Sequence, residues 1–484
     1  MGGVTGARTF LRRFAALGRG PRELKLVYVL KLLESFADFS TSLNLVLYLI
    51  EQFGYSDIEA GAMYGAWGVS TSLFGIVFGP AIDRLGVRRS LLVGGALLTA
   101  GRAMLAAAPT RAHVLVSLFM LQPLGMALAI PVLSIAIRRT STNENRSLAF
   151  GVFYAVMNIG ALLSGLGTDA LTTYLRSHVR GGGTSSAMRS LFWIGCATSA
   201  LYTLLTALAF RELPPVASAA TTSAHTKSTS VWRQVKETWA DRVFWRLVTF
   251  MVVLFGARSI FKHMDVSFPA WMKRTIGADA HYGSVYSINP AIVILTVAPL
   301  QAYLADRDPY NIVIVGTAVT SLAPLALAVL PPSYFSAVVF MVVVSAGEVY
   351  YSSKTMEFSL MLAPEGQEGV YGTLASVPLF AVRLMSGATG GALLSYFCPA
   401  EPPRRCALMW FAIAAVSAST PLVLLLARRC IYTSDVRARI AASTKRASTA
   451  AAAASSSVSL TAISLLATEA GDHEHDDFAV STGP

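Results

Sequence analysis

Two groups of ionisable side chains recur at helical spacing inside otherwise apolar stretches of the sequence. They are Lys31, Glu34 and Asp38 in one stretch and Arg258, Lys262 and Asp265 in another, where His263 is adjacent. Residues three and four positions apart lie on one face of a helix, so each group predicts a charged stripe. A carboxyl beside a cation in an apolar environment can gain or lose a proton when its surroundings change, which suits a proton carrier.

Other apolar stretches contain further ionisable residues, among them Arg102, Glu348, Lys354, Glu357 and Arg383. A charge at the centre of a membrane span costs roughly 2.5 to 3.5 kcal/mol, so it is usually paired or lines a water-filled cavity. A cavity with acidic side chains on one wall and basic side chains on another favours a solute that carries both a positive and a negative charge, such as an amino acid or a small peptide. A cavity dominated by Arg258, Lys262 and Arg383 would instead favour an organic anion.

These residue types predict two sets of site residues. Solute contacts are predicted for Glu348, Lys262, Arg258, Tyr154, Asn158, Asn289, Tyr350 and Arg383. Proton coupling is predicted for Glu34, Asp38, Lys31, Asp265 and His263. Structural alternatives stay open: Lys31 could neutralise Glu34, Glu348 could pair with Arg383 or Lys354, and the histidine and tyrosines could simply pack. The two asparagines are expected to form hydrogen bonds across helices.

The composition requires a membrane around these stretches. Of 484 residues, 54% are apolar and only 14% are charged, whereas soluble domains carry about 25% charged residues. Several soluble domains of this total length would lack enough charge to cover their surfaces. Four cysteines are also too few for a disulfide scaffold. The sequence therefore predicts an integral, multi-pass membrane protein.

About 20 mostly apolar residues cross the hydrocarbon core as a helix, and the sequence contains twelve such runs. They lie near 24–50, 60–82, 90–108, 112–137, 147–175, 190–210, 244–271, 282–304, 310–330, 334–362, 369–397 and 405–428. We predict an all-α membrane protein with two six-helix bundles at 24–210 and 244–430. A cytoplasmic arm at 1–23, a Pro/Ser/Thr-rich cytoplasmic linker at 211–243 and a disordered tail at 431–484 complete the predicted chain. This layout is typical of transporters that bind solute near the midplane.

Basic residues between the runs predict the orientation. If both termini share one side, that side carries about three times as many Lys and Arg as the other, which places both termini in the cytoplasm. The basic residues behind the net charge of +12 therefore set the orientation of the chain in the membrane and do not indicate a nucleic-acid partner. The sequence leaves open whether the membrane is the plasma membrane or that of an organelle. It also leaves open whether Cys398 and Cys406, which flank a loop on the opposite side, form a disulfide.

The loop after the second run reads GPAIDRLGVRRS, from Gly79 to Ser90. Its charged residues, Asp83, Arg84 and Arg88, could form ion pairs that hold one conformation shut and break in the other. Asp306 and Arg307 stand at the corresponding place after the eighth run. The first loop resembles the signature of the major facilitator superfamily, which implies the twelve-helix fold of that superfamily.

Four further stretches resemble the proton-coupled oligopeptide transporter (POT/PTR) family. They are AGEVYYSSKTMEFSLMLAP from Ala346, FGVFYAVMNIGALLSG from Phe150, YSINPAIVILTVAP from Tyr286 and LESFADF from Leu33. The resemblance implies that Glu348 meets the amine of a substrate. The first-run motif diverges: Lys31 replaces an acidic residue, Ser35 an arginine, and Ile130 stands where the family has a lysine before proline. In family members these charges are implicated in proton coupling and in holding the peptide carboxylate.

Together these features predict a secondary active transporter that works by alternating access. We expect proton-coupled symport of small zwitterionic or peptide-like solutes by a monomer without a cofactor. One alternative is an organic-anion carrier or exporter of the same fold, and another is a nontransporting solute sensor. An enzyme is not expected, because the sequence contains no nucleotide-binding loop, metal cluster or nucleophile constellation. An acidic segment near His473 and His475 is interpreted as disordered tail rather than as a metal site.

Overall fold

The computed structural model describes residues 20–141, 146–178, 184–213, 231–304, 307–362 and 368–442. Within these residues the chain forms helices and loops and no strands. Among the described residues, eight helices are long and apolar enough to cross a membrane, or nine if one bent pair counts as a single span. The prediction of an all-α membrane protein is therefore confirmed, and each of the twelve predicted runs coincides with one long helix or with consecutive shorter ones.

The first half of the described chain contains six long helices. They are α1 (Arg22–Phe53), α2 (Asp57–Leu85), α3 (Val87–Ala107), α4 (Arg111–Thr140), α5 (Arg146–His178) and α6 (Thr184–Ala209). A π-turn at Ser117–Leu121 lies within α4 and ends two residues before Pro123. Such a turn accommodates the missing N–H of a proline without ending the helix.

The second half follows a short helix, α7 (Val231–Ala240), which belongs to the predicted linker. Its helices are α8 (Arg242–Val253), α9 (Phe255–Val266), α10 (Phe268–Thr275), α11 (Tyr282–Tyr286), α12 (Ile288–Tyr303), α13 (Pro309–Val329), α14 (Tyr334–Leu362), α15 (Glu368–Phe397), α16 (Cys406–Leu426) and α17 (Arg428–Ile431). The predicted boundaries of the bundles and linker remain predictions.

The seventh and eighth predicted spans are broken rather than continuous. The seventh comprises α8, α9 and α10, with a bend of 42° between α8 and α9. Pro269 follows the break between α9 and α10, and Pro290 follows the break between α11 and α12. Each proline lacks the N–H that would continue the helical hydrogen-bond ladder from the preceding turn.

The two bundles contact each other closely at one end through glycines. A Cβ added at Gly61 of α2 would lie 2.8 Å from Gly391 Cα of α15, and one added at Gly65 would lie 2.7 Å from the Leu384 carbonyl oxygen. On the other side of the molecule, the Ser287 hydroxyl donates to the Leu162 carbonyl at 3.0 Å and joins the start of α12 to α5. At Gly61 and Gly65, only glycine permits the backbones of α2 and α15 to approach this closely. This end, which carries the α1–α2 and α10–α11 connections, is called the sealed end below.

The bundles are separated at the opposite end, where α1 begins. A Cβ added at Gly75 of α2 or at Gly151 of α5 would meet no atom within 4 Å. Val77 of α2 and Leu295 of α12 are 66% and 75% exposed. We call this the open end.

Part of the predicted tail is ordered against the second bundle. Tyr432 stacks on Tyr310 of α13 with ring centroids 4.7 Å apart, and Val436 is fully buried. Arg439 donates to both carboxylate oxygens of Asp241 at 2.7 and 3.0 Å. Residues 431–442 of the predicted tail thus pack on the second bundle, and residues 443–484, with the His473 segment, lie outside the described residues.

Candidate functional site

A cavity of about 340 Å³ lies between the two bundles. Gly68, Thr71 and Ser72 of α2 line it on one side, and Phe261, Tyr351, Ser352 and Val382 line it on the other. Its charged lining residues are Arg258, Lys262, Glu348 and Arg383. Four of the eight predicted solute contacts therefore share one cavity, and all four belong to the second half of the chain.

Glu348 is held by Asn289 rather than by a lysine or by Arg383. The Asn289 side-chain amide donates to Glu348 Oε2 at 2.8 Å and to the Ser345 hydroxyl at 3.0 Å. This bond joins α12 to α14, as expected for an asparagine that bonds across helices. Arg258 and Lys262 are the cations whose charges act on Glu348. The carboxylate thus stays available beside two cations in the cavity.

Asp265 joins the two bundles beside the cavity. Its Oδ2 atom accepts a hydrogen bond of 2.5 Å from the Tyr64 hydroxyl of α2 and lies 3.3 Å from Lys262 Nζ. The Asp265 side chain is 5% exposed, whereas that of Lys262 is 32% exposed. Lys262 therefore contacts both the cavity and a buried link between the bundles.

The first charged stripe lies inside the first bundle and does not line the cavity. Lys31 Nζ and Glu34 Oε2 form a buried ion pair at 2.7 Å, so the structural alternative for this pair describes the observed contact. Asp38 has a buried Oδ1 atom without a hydrogen-bond partner among the described residues. The charges of Glu34, Arg383, Arg102 and Lys31 act on it. Asp38 is thus the stripe residue that connects electrostatically with the cavity.

Other predicted site residues have local roles. Asn158 donates to the Tyr154 carbonyl of its own helix at 2.9 Å, so the expectation of a bond across helices is wrong for this residue. Tyr351, not Tyr350, lines the cavity. His263 is buried and bonds to Ser267 one turn later at 3.0 Å, which fits a packing residue. The Tyr154 hydroxyl interacts electrostatically with Glu348 and Arg258.

The predicted gating residues lie at the open end. Arg88 donates to the Ala207 carbonyl at 2.7 Å. Ala207 lies in the last turn of α6, where a positive charge stabilises the C-terminal end of the helix dipole. Its contact is therefore within the first bundle. Arg307 is exposed. The side chains of Asp83 and Arg84, and the whole of Asp306, lie outside the described residues.

Ion pairs that the sequence analysis did not predict close the sealed end. Arg274 of α10 forms a bidentate pair with Asp57 of α2, at 2.9 and 2.5 Å, and both side chains are about nine-tenths buried. Lys273 pairs with Glu51 in the same seam. Arg274 also donates to the Cys398 carbonyl at 2.7 Å. These charges stand in short connectors, where a basic residue normally indicates only topology.

A disulfide between Cys398 and Cys406 closes the loop that supplies this carbonyl. We expect that reducing it, or replacing both cysteines with serine, weakens the Arg274 anchor by about 1 kcal/mol, the value of one hydrogen bond. Amide hydrogen exchange around Asp57 and Arg274 should then become roughly fivefold faster. Cys196→Ser and Cys430→Ser serve as controls, because both cysteines are free. Unchanged exchange in the double serine variant would show that the disulfide does not support the seam.

Comparison with known proteins identifies the family. A family model described as Major Facilitator Superfamily matches residues 27–377. The chain belongs to the Major Facilitator Superfamily. It is accordingly a membrane transporter, and the resemblance predicted from the Gly79–Ser90 loop is confirmed. No curated protein matches the sequence.

Solved structures with this superfamily fold include several POT family transporters. One, in complex with 5-aminolevulinic acid, has a TM-score of 0.69 and 14% sequence identity, and the match covers 85% of this chain and 97% of that one. A bacterial homologue of the human drug peptide transporters has a TM-score of 0.65 and 16% identity, over 85% and 98% of the two chains. Tetrameric PepTSo2 has a TM-score of 0.60 and 14% identity, over 84% and 96%. At these identities the likeness establishes the fold.

Proposed function

We propose that this transporter is a secondary active carrier that works by alternating access and moves small zwitterionic or peptide-like solutes together with protons. The observation that carries the proposal is one cavity between two bundles that holds Glu348 and Arg383 and is sealed at a single end. A carboxylate and a guanidinium in one cavity suit the amine and the carboxylate of a zwitterion. The POT family neighbours bound to 5-aminolevulinic acid or to a peptide conjugate support this solute class.

Asp38 is the proposed proton carrier. Glu34 already has Lys31 as a partner, whereas Asp38 Oδ1 is buried without a hydrogen bond and feels the charges of both Arg102 and Arg383. A solute carboxylate that binds Arg383 would compete with Asp38 for its positive charge and would thereby favour protonation of Asp38. Proton and solute binding are coupled by this competition.

An organic-anion carrier is the second candidate, because the charged lining comprises three cations and one carboxylate. The carboxylates of Glu348 and Asp265 offset part of that excess, which is why we place zwitterions first. In either case the open end faces the cytoplasm, following the basic-residue bias, and the protein acts as a monomer in the plasma membrane or an organelle membrane. A nontransporting sensor would bind solute without exchanging it.

The test is uptake of labelled alanine, dialanine and succinate into proteoliposomes with and without an imposed pH gradient. We expect dialanine uptake to rise with an inward proton gradient, and Asp38→Asn to remove that response while leaving counterflow. Glu348→Gln should lower uptake of dialanine more than that of succinate. Glu401→Gln, on an exposed loop, serves as the control.

Each possible outcome decides a separate point. Uptake of succinate alone would select the anion carrier, and binding without counterflow would select the sensor. An unchanged dialanine-to-succinate ratio in Glu348→Gln would contradict the assigned amine contact. If uptake by the parent protein is the same with and without the pH gradient, proton coupling is excluded.

A further inference from the structure

Arg383 belongs to α15 of the second bundle, but its guanidinium is held by the first bundle. The guanidinium carbon lies 4.3 Å from the Trp67 ring centroid and 5.0 Å from the Tyr64 ring centroid. One terminal nitrogen also donates to the Ser42 hydroxyl at 3.2 Å. All three partners lie on α1 or α2. The side chain thus crosses the seam between bundles before it reaches the cavity.

Gly68 provides the space for this crossing. A Cβ at this position would lie 2.7 Å from Arg383 Cγ and 3.0 Å from Arg383 Cβ, closer than side-chain carbons pack. Gly68 itself lines the cavity. Any larger residue would therefore displace the arginine from its path along α2.

The two aromatic rings are fixed by their own contacts. Tyr64 and Trp67 are both fully buried, and their rings meet edge to face with centroids 6.1 Å apart. The Tyr64 hydroxyl is further anchored on Asp265 at 2.5 Å. A cation over a fixed aromatic face is held in position without losing its hydrogen-bond donors.

Those donors are only partly used. Arg383 Nε is buried without a hydrogen-bond partner among the described residues. Guanidinium groups bind carboxylates through two parallel hydrogen bonds, and Arg383, which lines the cavity, has terminal N–H donors besides the one given to Ser42. A planar oxyanion in the cavity would match these donors.

We propose that Tyr64, Trp67 and Gly68 form a cradle that positions Arg383 to bind the carboxylate of the transported solute. The inference rests on the proposed transport function and identifies the carboxylate end of its solute site. Because the cradle and the arginine belong to different bundles, separation of the bundles at the sealed end takes Arg383 off its rings. Affinity for the carboxylate is thus highest in the conformation seen here, and it falls as the solute site turns to the other side.

The test compares Trp67→Leu, Trp67→Phe and Trp410→Leu in proteoliposome counterflow. The probes are dialanine and its C-terminal amide, with succinate and its monoamide as a second pair. Removing the Trp67 ring should raise KM for the acid by about three- to thirtyfold, the range of a desolvated cation–π contact. The preference for acid over amide should fall by the same factor, with Vmax changed less than about twofold. Trp67→Phe, which retains an aromatic face, should recover most of the parental KM.

Trp410 is the matched control, because it is also fully buried and its indole N–H is also without a partner in the described residues, but it packs against Trp271 and Phe340 away from the cavity. Trp410→Leu should lower the yield of folded protein without changing acid-to-amide preference. Equal acid-to-amide preference in Trp67→Leu and the parent would refute the cradle even when transport is intact. A parent protein that exchanges no probe would refute the proposed function, and the cradle with it.

Discussion

Gly61→Leu is expected to reduce solute uptake by about tenfold or more, because it keeps the sealed end from closing. Position 61 packs on backbone atoms of Gly387 and Gly391, and a Cβ there would already lie 2.8 Å from Gly391 Cα. Backbone cannot yield as a flexible side chain can, so the bundles must separate at this end. Uptake and counterflow of dialanine or succinate in proteoliposomes measure the loss.

The Gly61 prediction includes a conformational readout. Amide exchange at Asp57 and Arg274 should become faster in Gly61→Leu, as their ion pair crosses the same seam. Gly195→Ala is the control, since its added Cβ would make an ordinary contact of 3.6 Å with Ala37. Normal uptake by Gly61→Leu would mean that the transport cycle does not require this closure.

Arg383→Ala is expected to lower the apparent affinity for carboxylate solutes by about 10- to 100-fold, the value of a hydrogen bond to a charged group. The substitution also removes a cation that acts on Asp38 and Asp265, so the response to a pH gradient should change with it. Arg383→Lys keeps the charge but not the planar pair of donors, and should recover only part of the affinity. Competition by unlabelled solute during counterflow measures each affinity.

An Arg383→Ala protein with parental affinity for carboxylate solutes would show that Lys262 or Arg258 holds the carboxylate instead. Lys262→Ala and Arg258→Ala measured in the same assay would then identify which one. The three alanine variants thus distinguish three cavity cations that look the same in the sequence, since each is a basic residue within an apolar run.

Much of the fold could be predicted from the sequence, because it follows from hydrophobic length. Twelve apolar runs, the central polar linker and the Gly79–Ser90 loop each depend on local composition. The breaks near Pro269 and Pro290 are also local in origin. The prediction that Pro290 loosens its helix agrees with the break after α11.

The site was predicted less completely, because it depends on how helices rotate against each other. Arg258, Lys262, Glu348 and Arg383 could be selected as charges within spans, and the cavity brings them together. Tyr64 and Trp67 could not, because a buried aromatic on an apolar helix carries no signal of its function. The equal spacing of the two charged stripes suggested equal roles, but only the second stripe faces the cavity.

The seam residues were missed for a related reason. Asp57 and Arg274 stand more than two hundred positions apart, and only the folded bundles show that they meet. The glycines at 61, 65 and 391 could have given a signal, because small residues spaced along one face often mark close helix contacts in membranes.

The packed segment after α17 determines where the chain can be shortened for expression. Arg246 donates to Asp435 at 2.8 Å and holds the pKa of that carboxyl below its ordinary value. Arg439 donates both to Asp241 and to the Leu362 carbonyl at the end of α14. A protein cut at residue 431 would uncover Tyr310 and leave Asp241 without Arg439. A stop codon or fusion partner placed after residue 442 retains every one of these contacts, and it should give the more monodisperse detergent-solubilised protein on size-exclusion chromatography.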